Sequence, residues 1–277
     1  MRDDHSFIEL KARARAQALL DAGSYRELLD PFDGIISPWL GPQGIVPQAD
    51  DGMVVAKGTI NGKPAVVVAV EGAFQGGSMG EVSGAKMAAA LELAAEDNRN
   101  GIPTQAVLCL ETGGVRLQEA NLGLAAIADI HAAIVDLRQY TPVIGIIAGT
   151  VGCFGGMSIA AGLCSYLIVT REARVGLNGP QVIEQEAGID EYDSRNRPFI
   201  WSMTGGEVRA RSGLVDSLVG DGVNAIKHAV NQFIDKGVPA QHRSDKYTDF
   251  LARLTHFDTR QQADAEQIAA FFSGEEK

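Results

Sequence analysis

Two glycine pairs, Gly113-Gly114 and Gly155-Gly156, are the residues of this 277-residue chain whose placement best suits a chemical role. Each pair follows an apolar run that is typical of a buried parallel strand. Glycine lets the backbone turn sharply after such a strand and leaves bare amide N–H groups at the start of a helix, where they attract negative charge. Two such loops side by side could hold one oxygen between them, which suits a reaction that builds negative charge on a carbonyl oxygen.

A serine nucleophile is the competing interpretation. Residues 76–80 match G-x-S-x-G, the nucleophile elbow of α/β-hydrolases, and Asp216 and His242 follow in the required order. The elbow needs its strand to end directly before the first glycine, yet here the apolar strand ends near Val70. The sequence therefore favours a glycine-rich helix start in which Ser78 is a cap, and labelling with a fluorophosphonate would distinguish the two.

Polar residues near the glycine pairs have two interpretations each. Glu111 ends a strand beside the first pair, where an acid orients a loop or serves as a base. Arg116 and Glu119 fall in the first turn after that pair, where they form a local ion pair or contact a ligand. His131 lies on or beside the core-facing stripe of its helix, which favours a hydrogen-bonded structural histidine over a catalyst.

The glycine pairs belong to a repeated unit of strand, glycine turn and helix. Pairs at 76/77, 113/114 and 155/156 recur about forty residues apart, the size of one βαβ step. After the second pair, the apolar residues of 117–137 keep helical spacing, so this helix packs one face on a sheet. Before the first pair, two strands are joined by Asn61-Gly62, a typical hairpin turn. The predicted fold class is α/β.

The two ends of the chain are predicted to add helices to this core. Ser6 with Glu9, and Ser24 with Glu27, have the spacing of a capping box, which predicts two N-terminal helices. Glycine, proline and aspartate are dense from 31 to 52, which indicates a loop. We divide the chain into an N-terminal helical arm and loop (1–52), a core (53–220) and a C-terminal helical extension (221–277).

Composition disfavours several classes of protein. The net charge of −11 argues against a nucleic-acid or anionic-membrane partner. Cys109, Cys153 and Cys164 lie in apolar runs without C-x-x-C spacing, so they are interpreted as core residues of a protein in the reducing cytoplasm. The uncharged stretch 143–169 is long enough to span a bilayer, but its six glycines indicate a turn within it.

Four segments, in order, carry a family resemblance: LLDAGSYREL, VVAKGTINGKPAVVVAVEGAFQGGSMGE, ETGGVRLQEA and GTVGCFGGMS. They lie between residues 19 and 158 and resemble the carboxyltransferase branch of the crotonase superfamily, a resemblance that covers about residues 10 to 215. Within this branch, the sequence provides one such domain and lacks the zinc ribbon of the acetyl-CoA carboxylase β subunit. It is therefore most similar to the β subunits of biotin-independent malonate decarboxylases. Glu111-Thr112 stands where many relatives have Asp-Ser, and Val115 where they have Ala.

The resemblance implies a crotonase-like spiral of repeated ββα units and a thioester enolate stabilised by backbone N–H groups. Carried over by position, the catalytic residues are Gly113, Gly114, Gly155 and Gly156. The residues that the resemblance places at the substrate are Glu111, Thr112, Arg116 and Phe154.

The resemblance also implies partners. In the resembled family the malonyl thioester is carried by an acyl carrier protein with a CoA-like prosthetic group, and a γ subunit supplies the facing half of the site. The chain itself is expected to bind no cofactor or metal. The nearest alternative is the carboxyltransferase β subunit of a biotin-dependent acyl-CoA carboxylase or decarboxylase. A scaffold that only docks the carrier is disfavoured, because docking does not need bare amides.

Overall fold

The computed structural model describes residues 5–258 and 264–273 and contains one mixed sheet flanked by helices. The strands are β1 Arg26–Leu28, β2 Met53–Ile60, β3 Lys63–Val70, β4 Gln105–Cys109, β5 Val143–Ile147, β6 Tyr166–Thr170 and β7 Ser217–Val219. The helices are α1 Ala12–Leu19, α2 Glu81–Arg99, α3 Asn121–Leu137, α4 Gly156–Leu163, α5 Pro180–Ala187, α6 Arg197–Thr204, α7 Gly206–Arg211, α8 Val223–Lys236, α9 Tyr247–Leu254 and α10 Ala265–Ser273. The prediction of an α/β fold is confirmed.

The seven strands lie side by side in chain order. The first three are antiparallel, and from β3 to β7 each strand runs parallel to its neighbour. The predicted hairpin between β2 and β3 is confirmed, with Asn61 at φ 51° and Gly62 at φ 74° in the turn. Because parallel strands end at the same edge of a sheet, the loops after β3, β4 and β5 come together there.

Both faces of the sheet are buried. One face carries alternate strand residues such as Val68 and Leu108 and packs on α2, α3 and α4. The other carries residues such as Val67 and Val107 and packs on α1 and α8. Strands buried on both sides are continuously apolar, as the sequence indicated. The division into arm, core and extension stays a prediction, with 1–4, 259–263 and 274–277 outside the described residues.

A second, shorter line of backbone pairing follows the carboxyl ends of the parallel strands. Isolated β-bridges join Thr112 to Cys153, Cys153 to Val175, and Met79 to Val115. Each of these residues lies between a strand and the helix that follows it. The repeated unit is therefore a strand, an isolated bridge residue and a helix. The second β element of each ββα unit consists of that single bridge residue.

The N-terminal helices differ from the prediction. Ser24 to Glu27 do not begin a helix, because residues 26–28 form β1 and supply hydrogen-bonding partners to the edge of β2. The first helix begins only at Ala12, whose N–H donates to the Glu71 carboxylate at 3.1 Å. The Ser6 hydroxyl accepts the Glu9 N–H at 3.3 Å, as a cap would, but the contact closes only a turn. The same hydroxyl donates to the Asp221 carboxylate, which connects the start of the chain to the residues before α8.

The uncharged stretch 143–169 forms β5, α4 and β6 within the globular core. Among the helices that the structure describes, none combines the length and the apolar character needed to cross a bilayer.

Candidate functional site

The two glycine loops pack directly against each other. The first follows β4 and the second follows β5, and the bridge between Thr112 and Cys153 joins them. The Thr112 N–H donates to the Gly152 carbonyl at 2.8 Å, and the Phe154 N–H donates to the Thr112 carbonyl at 3.0 Å. The sequence prediction that these loops lie side by side is therefore confirmed.

Only glycine fits where the loops meet. Gly114 has φ 102°, and a Cβ added there would lie 2.9 Å from the Phe154 carbonyl oxygen. Gly155 has φ 59°, and its Cβ would lie 3.2 Å from the Gly114 Cα. Both positions combine a left-handed backbone with a close backbone approach, so side chains are excluded from them.

Several amides of the predicted catalytic glycines are already used inside the protein. The Gly113 N–H donates to the Gly76 carbonyl at 2.9 Å, and the Gly155 N–H donates to the Leu177 carbonyl at 2.7 Å. The Gly114 N–H donates to the Thr112 hydroxyl at 3.1 Å. These three glycines therefore shape the loops, and their amides are not bare donors.

The bare amides are that of the fourth predicted glycine, Gly156, and those of two neighbouring residues, Val115 and Met157. Among the described residues, the N–H groups of Val115, Gly156 and Met157 donate to no acceptor. The Val115 nitrogen lies 3.8 Å from the position that a Cβ on Gly155 would take, so the two loops bring these donors together. Gly156 and Met157 begin α4, which has no side-chain cap, and a helix N-terminus favours negative charge. This arrangement can hold an oxygen that becomes negative.

His131 supports the start of α4 from α3. Its Nε2 lies 2.8 Å from the Gly156 carbonyl oxygen, which can only accept, so Nε2 carries the proton. That carbonyl belongs to the same peptide group as the Met157 N–H, and a hydrogen bond to the oxygen makes the N–H a stronger donor. The interpretation of His131 as a hydrogen-bonded structural residue is confirmed, and its partner is a peptide of the site.

Glu111 holds the second loop in place. Its side chain is buried, and Oε1 accepts the Gly149 N–H at 2.6 Å. Burial raises the pKa of the Glu111 carboxyl, while the positive charge of Arg15 and the hydrogen bonds from the Gly149 and Val151 amides oppose that shift. Of the two interpretations of Glu111, loop orientation is the one that its contacts support.

Arg116 is enclosed in a buried ion cluster. Only 1% of its side chain is exposed, and Nη1 lies 2.7 Å from Asp51 and 2.9 Å from Glu119. Its Nη2 donates to the Ser78 carbonyl at 3.0 Å. Of the two interpretations of Arg116, the local ion pair is the one observed. Thr112 and Phe154 are also buried, and the role of these two residues, Glu111 and Arg116 in substrate binding stays a prediction.

The arrangement of a serine hydrolase is absent from the described residues. The Ser78 hydroxyl donates to the Gln75 carbonyl at 2.8 Å within its own turn, after β3. Asp216 instead pairs with Arg243 and accepts the Leu167 N–H at the start of β6, at the opposite edge of the sheet. The elbow interpretation is therefore wrong. The cap interpretation is also wrong, because α2 begins after Gly80, and the side chain that bonds its N-cap amide is Ser83.

The cysteines lie in the core. All three are free and buried, and burial raises the pKa of Cys109 and of Cys164 to about 12. They are thiols at neutral pH and not nucleophiles. Among the described residues, no group of three or more His, Cys, Asp or Glu side chains could hold a metal ion.

Comparison with known proteins identifies the family. Residues 5–264 match the carboxyl transferase domain. The chain belongs to the carboxyl transferase domain family. A chain of a Pseudomonas malonate decarboxylase hetero-tetramer, solved in complex with malonate, is 68% identical with a TM-score of 0.95, and the match covers 97% of this chain and 98% of that one.

Two further similar proteins also act on malonate or a malonyl group, by their names. A chain of the Pseudomonas malonate decarboxylase MdcD-MdcE hetero-dimer is 61% identical with a TM-score of 0.78, covering 90% of this chain and 96% of that one. The malonyl-S-ACP:biotin-protein carboxyltransferase MADC of Malonomonas rubra is 40% identical over 84% of this chain and 76% of its own length. The resemblance drawn from the four sequence segments is therefore confirmed.

Sequence reasoning missed three parts of this carboxyl transferase site. The bare amides of Val115 and Met157 lie one residue beyond the predicted glycines, and the rule that the first helical N–H groups lack partners could have indicated Met157. No signal marks Asp51, because it lies 65 positions before Arg116 in a loop. The carbonyls of Gly76 and Leu177 are likewise recognisable only in the fold.

Proposed function

We propose that this chain is the β subunit of a malonate decarboxylase, which converts a malonyl thioester on an acyl carrier protein to an acetyl thioester and CO₂. The observation that carries the proposal is the group of bare amides at the start of α4 and at Val115, in a chain 68% identical to a malonate decarboxylase chain. Loss of CO₂ from a malonyl thioester leaves an enolate whose charge lies on the thioester oxygen. Amides fixed around that oxygen lower the barrier without a nucleophile.

The roles of the residues follow from this chemistry. The N–H groups of Gly156, Met157 and Val115 would donate to the thioester oxygen as it becomes negative. Gly114 and Gly155 let the loops approach closely enough to present these donors. Glu111 and Arg116 would fix the loops through their buried contacts with Gly149 and Asp51. His131 would make the Met157 N–H a stronger hydrogen-bond donor. Donors that need no rearrangement during the reaction are the most effective kind.

A second subunit, the γ subunit of the resembled family, is proposed to complete the site. Large apolar side chains are exposed on the loops and helices that form the site: Leu117 at 80%, Leu124 at 54%, Ile159 at 49% and Leu177 at 62%. The relatives in solved structures are parts of a hetero-tetramer and a hetero-dimer. An apolar surface around a polar site suits a protein partner that excludes water from the reacting thioester.

The acyl group is proposed to arrive on the CoA-like prosthetic group of the carrier protein, so this chain would need no cofactor of its own. We place the reaction in the cytoplasm, because the three thiols are free.

A biotin-dependent carboxyltransferase is the second candidate. The 40% identity to a malonyl-S-ACP:biotin-protein carboxyltransferase favours it, because that relative shares the malonyl carrier substrate. Both reactions would form the same enolate and differ in where CO₂ goes.

Co-purification of the chain with its partner subunits, followed by an assay of CO₂ release from a malonyl thioester with and without avidin, tests the proposal. We expect release that avidin does not change. Inhibition by avidin would favour the biotin-dependent candidate, and the absence of any CO₂ release from an intact complex would contradict both.

A further inference from the structure

A cavity of about 350 Å³ lies at the edge of the sheet opposite to the glycine loops. Its walls include Ser165 and Tyr166 at the start of β6, and Lys236 at the end of α8. Phe250 of α9 and Phe272 of α10 also line it. Because β6 has five residues and each residue spans about 3.3 Å, the cavity is about 17 Å from the carboxyl edge of the sheet. It is therefore separate from the proposed site.

The charges around this cavity are mainly positive. Its basic residues are Lys236, Arg243, Lys246 and Arg253, and its acidic residues are Asp216 and Asp249. Arg243 and Asp216 form an ion pair with each other, so three cations remain against one carboxylate. In a chain with a net charge of −11, a cavity with excess positive charge is unusual. Such a cavity favours an anionic ligand.

Several of these cations are held in position. Nη1 of Arg243 donates to the carbonyls of Gly162 and Cys164 at 3.3 and 3.4 Å. Nζ of Lys236 lies 5.2 Å from the centre of the Tyr166 ring, and Arg253 donates to the Phe272 carbonyl. Side chains that are already ordered lose less entropy when they bind an anion.

We propose that this cavity binds a small phosphate monoester. Lysine and arginine side chains together suit the phosphate oxygens, and the apolar rings of Phe250 and Phe272 suit the organic part of the molecule. The volume of about 350 Å³ is within the usual range for small-molecule sites, at its lower end. This inference does not depend on the reaction proposed above.

Titration calorimetry of the full chain in complex with its partners, with adenosine 5′-monophosphate as the probe, tests the proposal. We expect saturable binding with a dissociation constant of about 1 mM or lower. The variant Lys236→Gln/Lys246→Gln should weaken it about tenfold or more, because two charged contacts with the phosphate are lost.

The matched control is Lys57→Gln/Lys63→Gln, which removes the same charge from the hairpin of β2 and β3. It should bind the probe as the unmodified chain does. Adenosine, which lacks the phosphate, should not bind. Equal binding of adenosine, equal weakening by the control, or no saturable binding of the probe would overturn the proposal, whatever the decarboxylation assay shows.

Discussion

At the scale of single residues, buried charges decide how rigidly the glycine loops are held. Arg116 is 1% exposed between two carboxylates, whereas the Arg99–Asp136 pair is exposed at 45% and 41%. Removing one member of a buried cluster leaves the other charges without a counter-ion, while an exposed pair is replaced by water. The stability of the first loop should therefore depend more on the buried ion pairs of Arg116 than on an exposed pair such as Arg99–Asp136.

The variant Arg116→Met tests this difference. It should lower the free energy of unfolding by about 3 to 5 kcal/mol, because the Asp51 and Glu119 carboxylates stay buried and unpaired. The matched variant Arg99→Met should change it by less than about 1 kcal/mol. Urea unfolding of both variants gives the comparison, and equal losses would show that the cluster does not support the loop.

The buried Glu111 carboxyl predicts a pH dependence. Because burial raises its pKa, the folded protein holds this proton to a higher pH than the unfolded chain does. The unmodified chain should therefore lose stability relative to Glu111→Gln as the pH rises from the ordinary glutamate pKa of about 4.3 to the raised value. Melting temperatures of the two proteins across this range measure the effect. A constant difference between them would contradict the raised pKa.

At the scale of elements, the contact between α3 and α4 links a helix in the core to the site. His131 of α3 reaches the Gly156 carbonyl in the first turn of α4. The variant His131→Ala should lower kcat about threefold to tenfold with little change in KM, because one neutral hydrogen bond that polarises a donor is lost. His131→Gln, which keeps a donor, should recover part of the loss. Steady-state kinetics of the complex decide this, and an unchanged kcat in His131→Ala would rule out the polarising role.

The elements also show where sequence reasoning stopped. The glycine pairs after apolar runs predicted both loops, because strand, turn and helix signals are local. The capping signal at Ser24 and Glu27 is local too, and it wrongly predicted a helix. Residues 26–28 pair with the edge of β2, and a local sequence pattern does not show this long-range pairing. Which amides of the loops stay bare depends on the carbonyls of Gly76 and Leu177, which come from other turns of the fold.

At the scale of the whole molecule, the proposed partner subunit would complete the site. We expect the isolated chain to be folded but nearly inactive on malonyl-CoA, since the apolar residues around the site stay exposed to water. High turnover by the purified single chain would show that the site is not shared with a second subunit.

One exposed leucine beside the site can test the partner surface directly. Leu124 of α3 is 54% exposed, and Leu93 of α2 is 53% exposed. Leu124→Lys should weaken co-purification of the partner subunit about tenfold or more, because a charge would be buried in the interface. Leu93→Lys should leave co-purification unchanged. Loss of the partner from both variants, or from neither, would place the interface elsewhere.

Gly156 is the residue at which the proposed role of the bare amides of α4 in stabilising the enolate can be measured. Gly156 is the first residue of α4, where proline is tolerated, whereas Gly114 at φ 102° cannot accept proline. Both Gly156→Pro and Gly156→Ala place a Cβ 2.8 Å from Cγ2 of Ile127, so the alanine variant controls for the crowding at Cβ. Only the proline variant also loses the N–H group.

The decisive measurement is the ratio of kcat between Gly156→Pro and Gly156→Ala in complexes shown to be assembled and equally stable. The loss of one oxyanion donor should lower kcat of the proline variant about 10²- to 10³-fold below that of the alanine variant, with a much smaller change in KM. Equal kcat values in the two variants would show that the Gly156 amide does not hold the developing charge.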